Sequence, residues 1–284
     1  MRIAQQPTSE MTHMIDPSTI HYPALDRPEI TAFLFYPRPE CETGGAGRAE
    51  GIHMIPVEDG VSIGARFHLV DPAAPNLLFF HGNGEIVSDY DDIAGLYARI
   101  AINFLPVDYR GYGRSGGRPT VTAMMRDAHI IFASVRQWLA DNRHTGPLIV
   151  MGRSLGSASA LELASHYPDS VDGLIIESGF AHALPLLRLL GVDTDKLGIT
   201  EGEAFDNTSK IARYPGPTLV IHAEFDHIIP FADGEALFAA SPDPDKRFIE
   251  IPEANHNDIL LHGIQPYLDA VRRLASRCKQ KSVL

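Results

Sequence analysis

At 284 residues the chain is long enough for one large α/β domain, or at most two small ones. Hydrophobic residues at 44% and charged residues at 21% fit a packed globular protein and exclude a disordered one. With 24 Lys and Arg against 36 Asp and Glu, the formal net charge of -12 opposes phosphate backbones and anionic lipid, so no nucleic-acid partner is expected.

Residues 1–50 form an N-terminal extension expected to wrap or fray. They carry Pro7, Pro17, Pro23, Pro28, Pro37 and Pro39 and end in the run Gly44-Gly45-Ala46-Gly47. Only Ala32-Phe33-Leu34-Phe35-Tyr36 is apolar enough to dock on a core. Met1 to Ile20 lack the apolar centre of a secretory signal, and no apolar run approaches the ~20 residues of a bilayer crossing, so no stable membrane insertion is expected. Cys41 and Cys278 are too few for a disulfide framework and read as reduced thiols of a cytoplasmic protein.

From residue 51 to 284 short apolar runs alternate with helical stretches. His53–Val57 and Ile63–Phe67 read as strands joined by the turn Glu58-Asp59-Gly60. Asn76–Phe80 and Ile102–Val107 follow as buried strands, with a helix from about Asp91 to Ile100 between them. Met124, Ala128, Ile131, Val135 and Leu139 give Thr120 to Asp141 a helical period. A strand Leu148–Met151, a helix from Ser154 to Tyr167, and strands Leu174–Ile176, Thr218–Ile221 and Arg247–Ile251 complete the pattern. A last helix is expected to start near Pro266 and end near Arg277, since proline suits a first helical turn. The basic residues of the tail (Arg272, Arg273, Arg277, Lys279 and Lys281) would complement the negative end of the helix dipole. Strands alternating with helices imply a mostly parallel sheet covered on both faces.

Gly152-Arg153-Ser154-Leu155-Gly156 follows an apolar strand directly and opens a helix rich in small residues. That is the context in which a sharp strand–turn–helix presents a serine hydroxyl over a helix N-terminus. Gly113-Arg114-Ser115-Gly116-Gly117 has the same G-x-S-x-G spelling but lies in a loop that Pro119 closes, with no helix opening at Ser115. The same stretch spells G-x-G-x-x-G from Gly111 to Gly116, without the helix a dinucleotide site needs. A serine nucleophile needs a base, and the base needs an orienting acid. His256 follows the last strand and Asp226 the strand before it, giving the chain order Ser154, Asp226, His256. Glu177 is the alternative acid, and His227 and His262 lie close to the candidates in sequence. A developing oxyanion needs amide donors. The Leu155 amide is one, and Asn83, in His81-Gly82-Asn83-Gly84-Glu85, is expected to supply the other through its backbone. His81 could be a second base or a brace for this loop.

These residues, with Asp108-Tyr109-Arg110-Gly111-Tyr112-Gly113-Arg114-Ser115, resemble the α/β-hydrolase superfamily. The likeness is to its small, weakly capped members related to serine aminopeptidase-like hydrolases and α/β-hydrolase-domain depalmitoylases. The resemblance implies a twisted sheet of about eight mostly parallel strands with helices on both faces and a short lid at about 181–215. It also implies a hydrolase that uses neither cofactor nor metal and acts on a small-molecule ester or acyl substrate. A thioesterase, an aminopeptidase or amidase, and a non-catalytic binding protein are the alternatives on the same scaffold; an oxidoreductase would rest on the loop glycines alone. Two departures are visible: Gly84 stands where relatives often carry alanine, and the extension lacks the membrane anchor or lipidated cysteine cluster that some of them carry. The lid leucines Leu184, Leu186, Leu187, Leu189 and Leu190 would line an acyl pocket or be ordinary core.

Overall fold

The computed structural model describes residues 15–40 and 51–281. Cys41 and the glycine run 44–47 lie outside the described residues. Eight strands form one sheet: β1 (Ile52–Glu58), β2 (Val61–Arg66), β3 (Asn76–Phe80), β4 (Asn103–Val107), β5 (Leu148–Arg153), β6 (Gly173–Glu177), β7 (Thr218–Ala223) and β8 (Arg247–Ile251). Their order is β1-β2-β4-β3-β5-β6-β7-β8. β2 runs antiparallel to both its neighbours, and every other pairing is parallel. Every residue of β3, β4, β6 and β7 is buried. Both sheet faces are covered, which is why these strands read as continuous apolar runs. At the edge, β8 is mostly part-exposed.

Nine α-helices surround the sheet: α1 (Pro28–Leu34), α2 (Asp91–Arg99), α3 (Val121–Asp141), α4 (Gly156–His166), α5 (Ala183–Leu189), α6 (Thr194–Leu197), α7 (Asn207–Ala212), α8 (Phe231–Ala240) and α9 (Ile259–Lys281) among the described residues. One apolar cluster joins α3, α4, α7 and α8 to one face of the sheet; another joins α2 and α9 to the opposite face. The Thr120 side chain caps α3 by accepting the Ala123 amide at 3.0 Å.

The last helix begins earlier than the proline suggests. A first turn forms at Ile259, the chain kinks at Gly263 (φ -137°, ψ 32°), and Pro266 falls just past the kink, at the start of the longer segment. Two of its basic residues pair with carboxylates: Arg272 with Asp269 and Arg277 with Asp243. The Cys278 thiol is buried and donates to the Asp172 carbonyl. α8 has no counterpart in the sequence pattern. In the extension, Ile30, Leu34 and Phe35 dock while Phe33 and Tyr36 stay exposed, so the apolar run is only half an anchor.

Candidate active site

The strand-to-helix turn after β5 is built around backbone crowding. Ser154 has φ +51°, a left-handed conformation a non-glycine residue rarely adopts. A Cβ on Gly152 would stand 2.3 Å from the Gly156 carbonyl oxygen, and one on Gly156 would stand 2.1 Å from that of Phe80. The two glycines therefore let the chain fold back on itself and let α4 sit against β3. The turn is locked by the Ser154 amide donating to the Glu177 carbonyl (2.9 Å) and the Ser157 hydroxyl to the Ser154 carbonyl (2.6 Å).

His256 and Asp226 approach this serine from the loops after β8 and β7. Ser154 Oγ lies 3.0 Å from His256 Nε2, and His256 Nδ1 lies 2.7 Å from Asp226 Oδ2. A carboxylate only accepts, so Nδ1 carries the proton and Nε2 is left as an acceptor facing the serine hydroxyl. Burial works against the Asp226 carboxylate. The hydrogen bond and charge of His256, with the Ile229 and Ile228 amides on Oδ1, outweigh it and hold the carboxyl below its usual range. Asn255 laces the two loops: its Oδ1 accepts the amides of His256 (2.8 Å) and His227 (3.2 Å).

The loop after β3 completes the rim. The Asn83 side chain is tethered: its Oδ1 accepts from the Tyr36 amide (2.8 Å) and the Tyr112 hydroxyl (2.6 Å). Among the described residues, neither the Asn83 amide nor the Leu155 amide has a protein acceptor. Gly84 has φ +79°, which explains a glycine at this position. His81 sits between the Gly82 carbonyl (2.8 Å) and Asp108 (3.2 Å), inside the loop's frame.

The other candidates lie elsewhere. Glu177 binds Arg153 (3.1 Å) and the Tyr267 hydroxyl (2.6 Å) rather than an imidazole, and burial raises its pKa. The Ser115 hydroxyl accepts the Gly64 amide at 2.9 Å. The Gly111–Gly116 loop folds over Asp108, and a Cβ on Gly113 would stand 2.1 Å from that carboxylate. His222 donates Nε2–H to the Ile229 carbonyl (3.0 Å), as a packed core histidine does. His129, Glu162 and His166 bring three donor atoms within 4.8 Å, but Lys210 Nζ already lies 2.7 Å from Glu162 and supplies the cation.

Sequence reasoning passed over Arg153. Its guanidinium pairs with Glu85 and Glu177 and donates to the His256 carbonyl (2.8 Å) and to Asn257 Oδ1 (2.9 Å). Glu85 in turn accepts the Gly82 amide (2.6 Å) and the Tyr90 hydroxyl (2.6 Å). The residue before Ser154 thus ties together the loop after β3, the end of β6 and the loop after β8. The available signal was a strong cation at the variable position of a buried turn.

Two cavities meet this region. One of about 190 Å³ touches Ser154 and is walled by Leu34, Leu155, Leu186, Leu190 and Ile228. The other, about 610 Å³, reaches His256 and Arg153 from the α2–α9 side without reaching Ser154. The leucines of α5 and its C-cap divide accordingly: Leu186 and Leu190 face the first cavity, Leu187 is core, and Leu189 is exposed. No helix among the described residues is long and apolar enough to cross a membrane.

Residues 71–190 match the family described as serine aminopeptidase S33. Human alpha/beta hydrolase domain-containing protein 17B is 31% identical over 229 residues, covering 79% of this chain and 74% of that protein. An uncharacterized protein of Mycobacterium tuberculosis is 30% identical over 232 residues, covering 78% and 77%. The solved structure of a soluble variant of monoglyceride lipase from Saccharomyces cerevisiae shares the fold, with a TM-score of 0.62 at 16% identity, over 80% of this chain and 94% of that one. The eight-stranded sheet, the relatives and the family match agree: this chain belongs to the α/β-hydrolase superfamily.

Proposed function

We propose that this α/β hydrolase cleaves carboxylic esters through an acyl-enzyme, with Ser154 as nucleophile, His256 as general base and acid, and Asp226 as its orienting carboxylate. The observation that carries the reading is the single imidazole 3.0 Å from a serine hydroxyl and 2.7 Å from a buried carboxylate. His256 takes the Ser154 proton as Oγ attacks the substrate carbonyl, then returns it to the departing alcohol. Water attacks the acyl-enzyme by the same route in reverse, restoring Ser154. The tetrahedral oxyanion would be held by the amides of Leu155 and Asn83, each such donor being worth about 10²–10³ in rate. Asp226 stays ionised throughout and stabilises the imidazolium. Thioesters and amides would use the same residues, since fold and triad do not fix the leaving group; an ester asks less of the general acid than an amide does. Cytoplasmic residence follows from the cysteine usage and belongs to the same proposal.

The test is a fluorophosphonate label combined with p-nitrophenyl ester hydrolysis. Wild type is expected to label and turn over. Ser154→Ala is expected to do neither while keeping its far-ultraviolet circular dichroism. Equal labelling of both proteins would remove Ser154 as nucleophile, and a properly folded wild type inert to label and to ester, thioester and amide panels would favour a binding protein.

A further inference from the structure

We infer that residues 27–40, ahead of the catalytic sheet, form a wall of the active site that closes an acyl pocket for short chains and steadies the oxyanion loop. This rests on Ser154 being the nucleophile. The cavity that touches Ser154 has five aliphatic walls, and one of them, Leu34, comes from α1 rather than from the lid. Leu34 is 2% exposed, so its side chain is packed into that wall. A volume of about 190 Å³ holds roughly six liquid-water volumes of ~30 Å³, room for about four to six acyl carbons. The larger cavity does not compete for the acyl group, because its lining omits Ser154 and includes the ion pairs of Arg153.

The same segment grips the rest of the site. Arg27 donates to the Leu197 carbonyl at the end of α6 (2.8 Å), tying α1 to the lid. The Tyr36 amide holds Asn83 Oδ1, and Arg38 Nε donates to the Gly84 carbonyl (3.0 Å) while its guanidinium pairs with Asp89. Arg38 and Glu40 then exchange backbone bonds with Gly113 (2.8 and 3.0 Å), fastening the segment to the loop that supplies the Tyr112 hydroxyl. Asn83 is therefore clamped by its side chain, which fixes the direction of its free amide. Leu34 is a specificity-determining residue and Arg38 a positioning residue.

The experiment measures kcat and KM of the full chain on p-nitrophenyl esters from two to twelve acyl carbons. Wild type is expected to peak at four to six carbons. Leu34→Ala removes three side-chain carbons and is expected to move the optimum about two carbons longer, since each methylene in an apolar pocket is worth about 10-fold or more in kcat/KM. Arg38→Met is expected to lower kcat about 10-fold at every chain length with KM nearly unchanged, a transition-state loss rather than a binding loss. Leu69→Ser, at an exposed position outside this segment, should leave the profile as it is. Active Leu34→Ala enzyme with the wild-type profile, or a wild-type optimum at twelve carbons, overturns the proposal while the Ser154 assignment stands. Activity surviving in Ser154→Ala would instead remove the reading beneath it. If Leu34→Ala folds poorly, Leu34→Val, one carbon smaller, carries the same test with a shift of about one carbon.

Discussion

Ser154 holds its φ of +51° because the glycines on either side accept contacts no other residue could. Gly156 and Gly95 make the contrast measurable. An alanine methyl at 156 would sit 2.1 Å from the Phe80 carbonyl oxygen, so α4 and β3 must separate. Gly95 lies exposed within α2, at negative φ, with nothing within 4 Å of the site of its Cβ. In urea melts, Gly156→Ala is expected to lose about 3 kcal/mol or more, or to give no soluble protein, whereas Gly95→Ala is expected to gain about 0.5–1 kcal/mol. Equal effects would mean that the turn is not crowded. The carboxylate on His256 is a second single-residue case. Asp226→Asn keeps the volume but no longer requires the proton on Nδ1, so kcat is expected to fall about 10³–10⁴-fold with the fold intact, checked by ester turnover beside a thermal melt.

Between elements the organising contact is the guanidinium of Arg153, which joins two loops to the end of β6. A buried ion pair need not stabilise, but breaking one partner leaves charge stranded. Arg153→Met would strand Glu85 and Glu177, and is expected to cost about 3–5 kcal/mol in urea melts. Adding Glu85→Gln and Glu177→Gln is expected to recover most of that loss while activity stays low, because His256 and the loop after β3 no longer share an anchor. Recovery of activity along with stability would show that Arg153 serves the fold alone. This network was invisible in sequence because its members lie far apart, Glu85 being 68 residues from Arg153. The serine turn, by contrast, was legible because its requirement is local: glycine, serine, glycine between an apolar run and a helix of small residues. The parallel strands were equally legible, since burial on both faces leaves only apolar residues in β3, β4 and β6 apart from Asn76, Asn103 and Glu177. α8 was missed for the opposite reason. Phe231-Ala-Asp-Gly-Glu-Ala-Leu-Phe-Ala-Ala is interrupted by Gly234, which breaks a helical reading, yet a Cβ there would stand 2.6 Å from His222 Nδ1. Close packing on β7 demanded the glycine that concealed the helix.

Across the molecule, burial of histidines sets how stability follows pH. His129, under α4, and His222, under α8, have no exposed surface. Desolvation lowers the pKa of each from 6.5, against the pull of Glu162 on His129 and of the Ile229 carbonyl and Asp226 on His222. Both are therefore neutral in the folded protein at a pH where the unfolded chain begins to protonate them. Below about 6.5 the unfolded state binds more protons, so stability rises with pH through this window and is lost as pH falls. Asp226 adds loss of the same sign, but only at lower pH: its folded pKa is depressed from 3.8, so its contribution is complete above that value and disappears beneath it. Glu177 acts the other way, its pKa raised by burial, and gains stability on protonation. Histidine-resolved NMR separates these contributions. The expected result is that the His129 and His222 imidazoles titrate below 6.5 in the folded protein while Tm drops between pH 7 and pH 5.5. Two imidazoles titrating at 6.5, or a Tm that climbs over that interval, would show that their burial carries no such penalty.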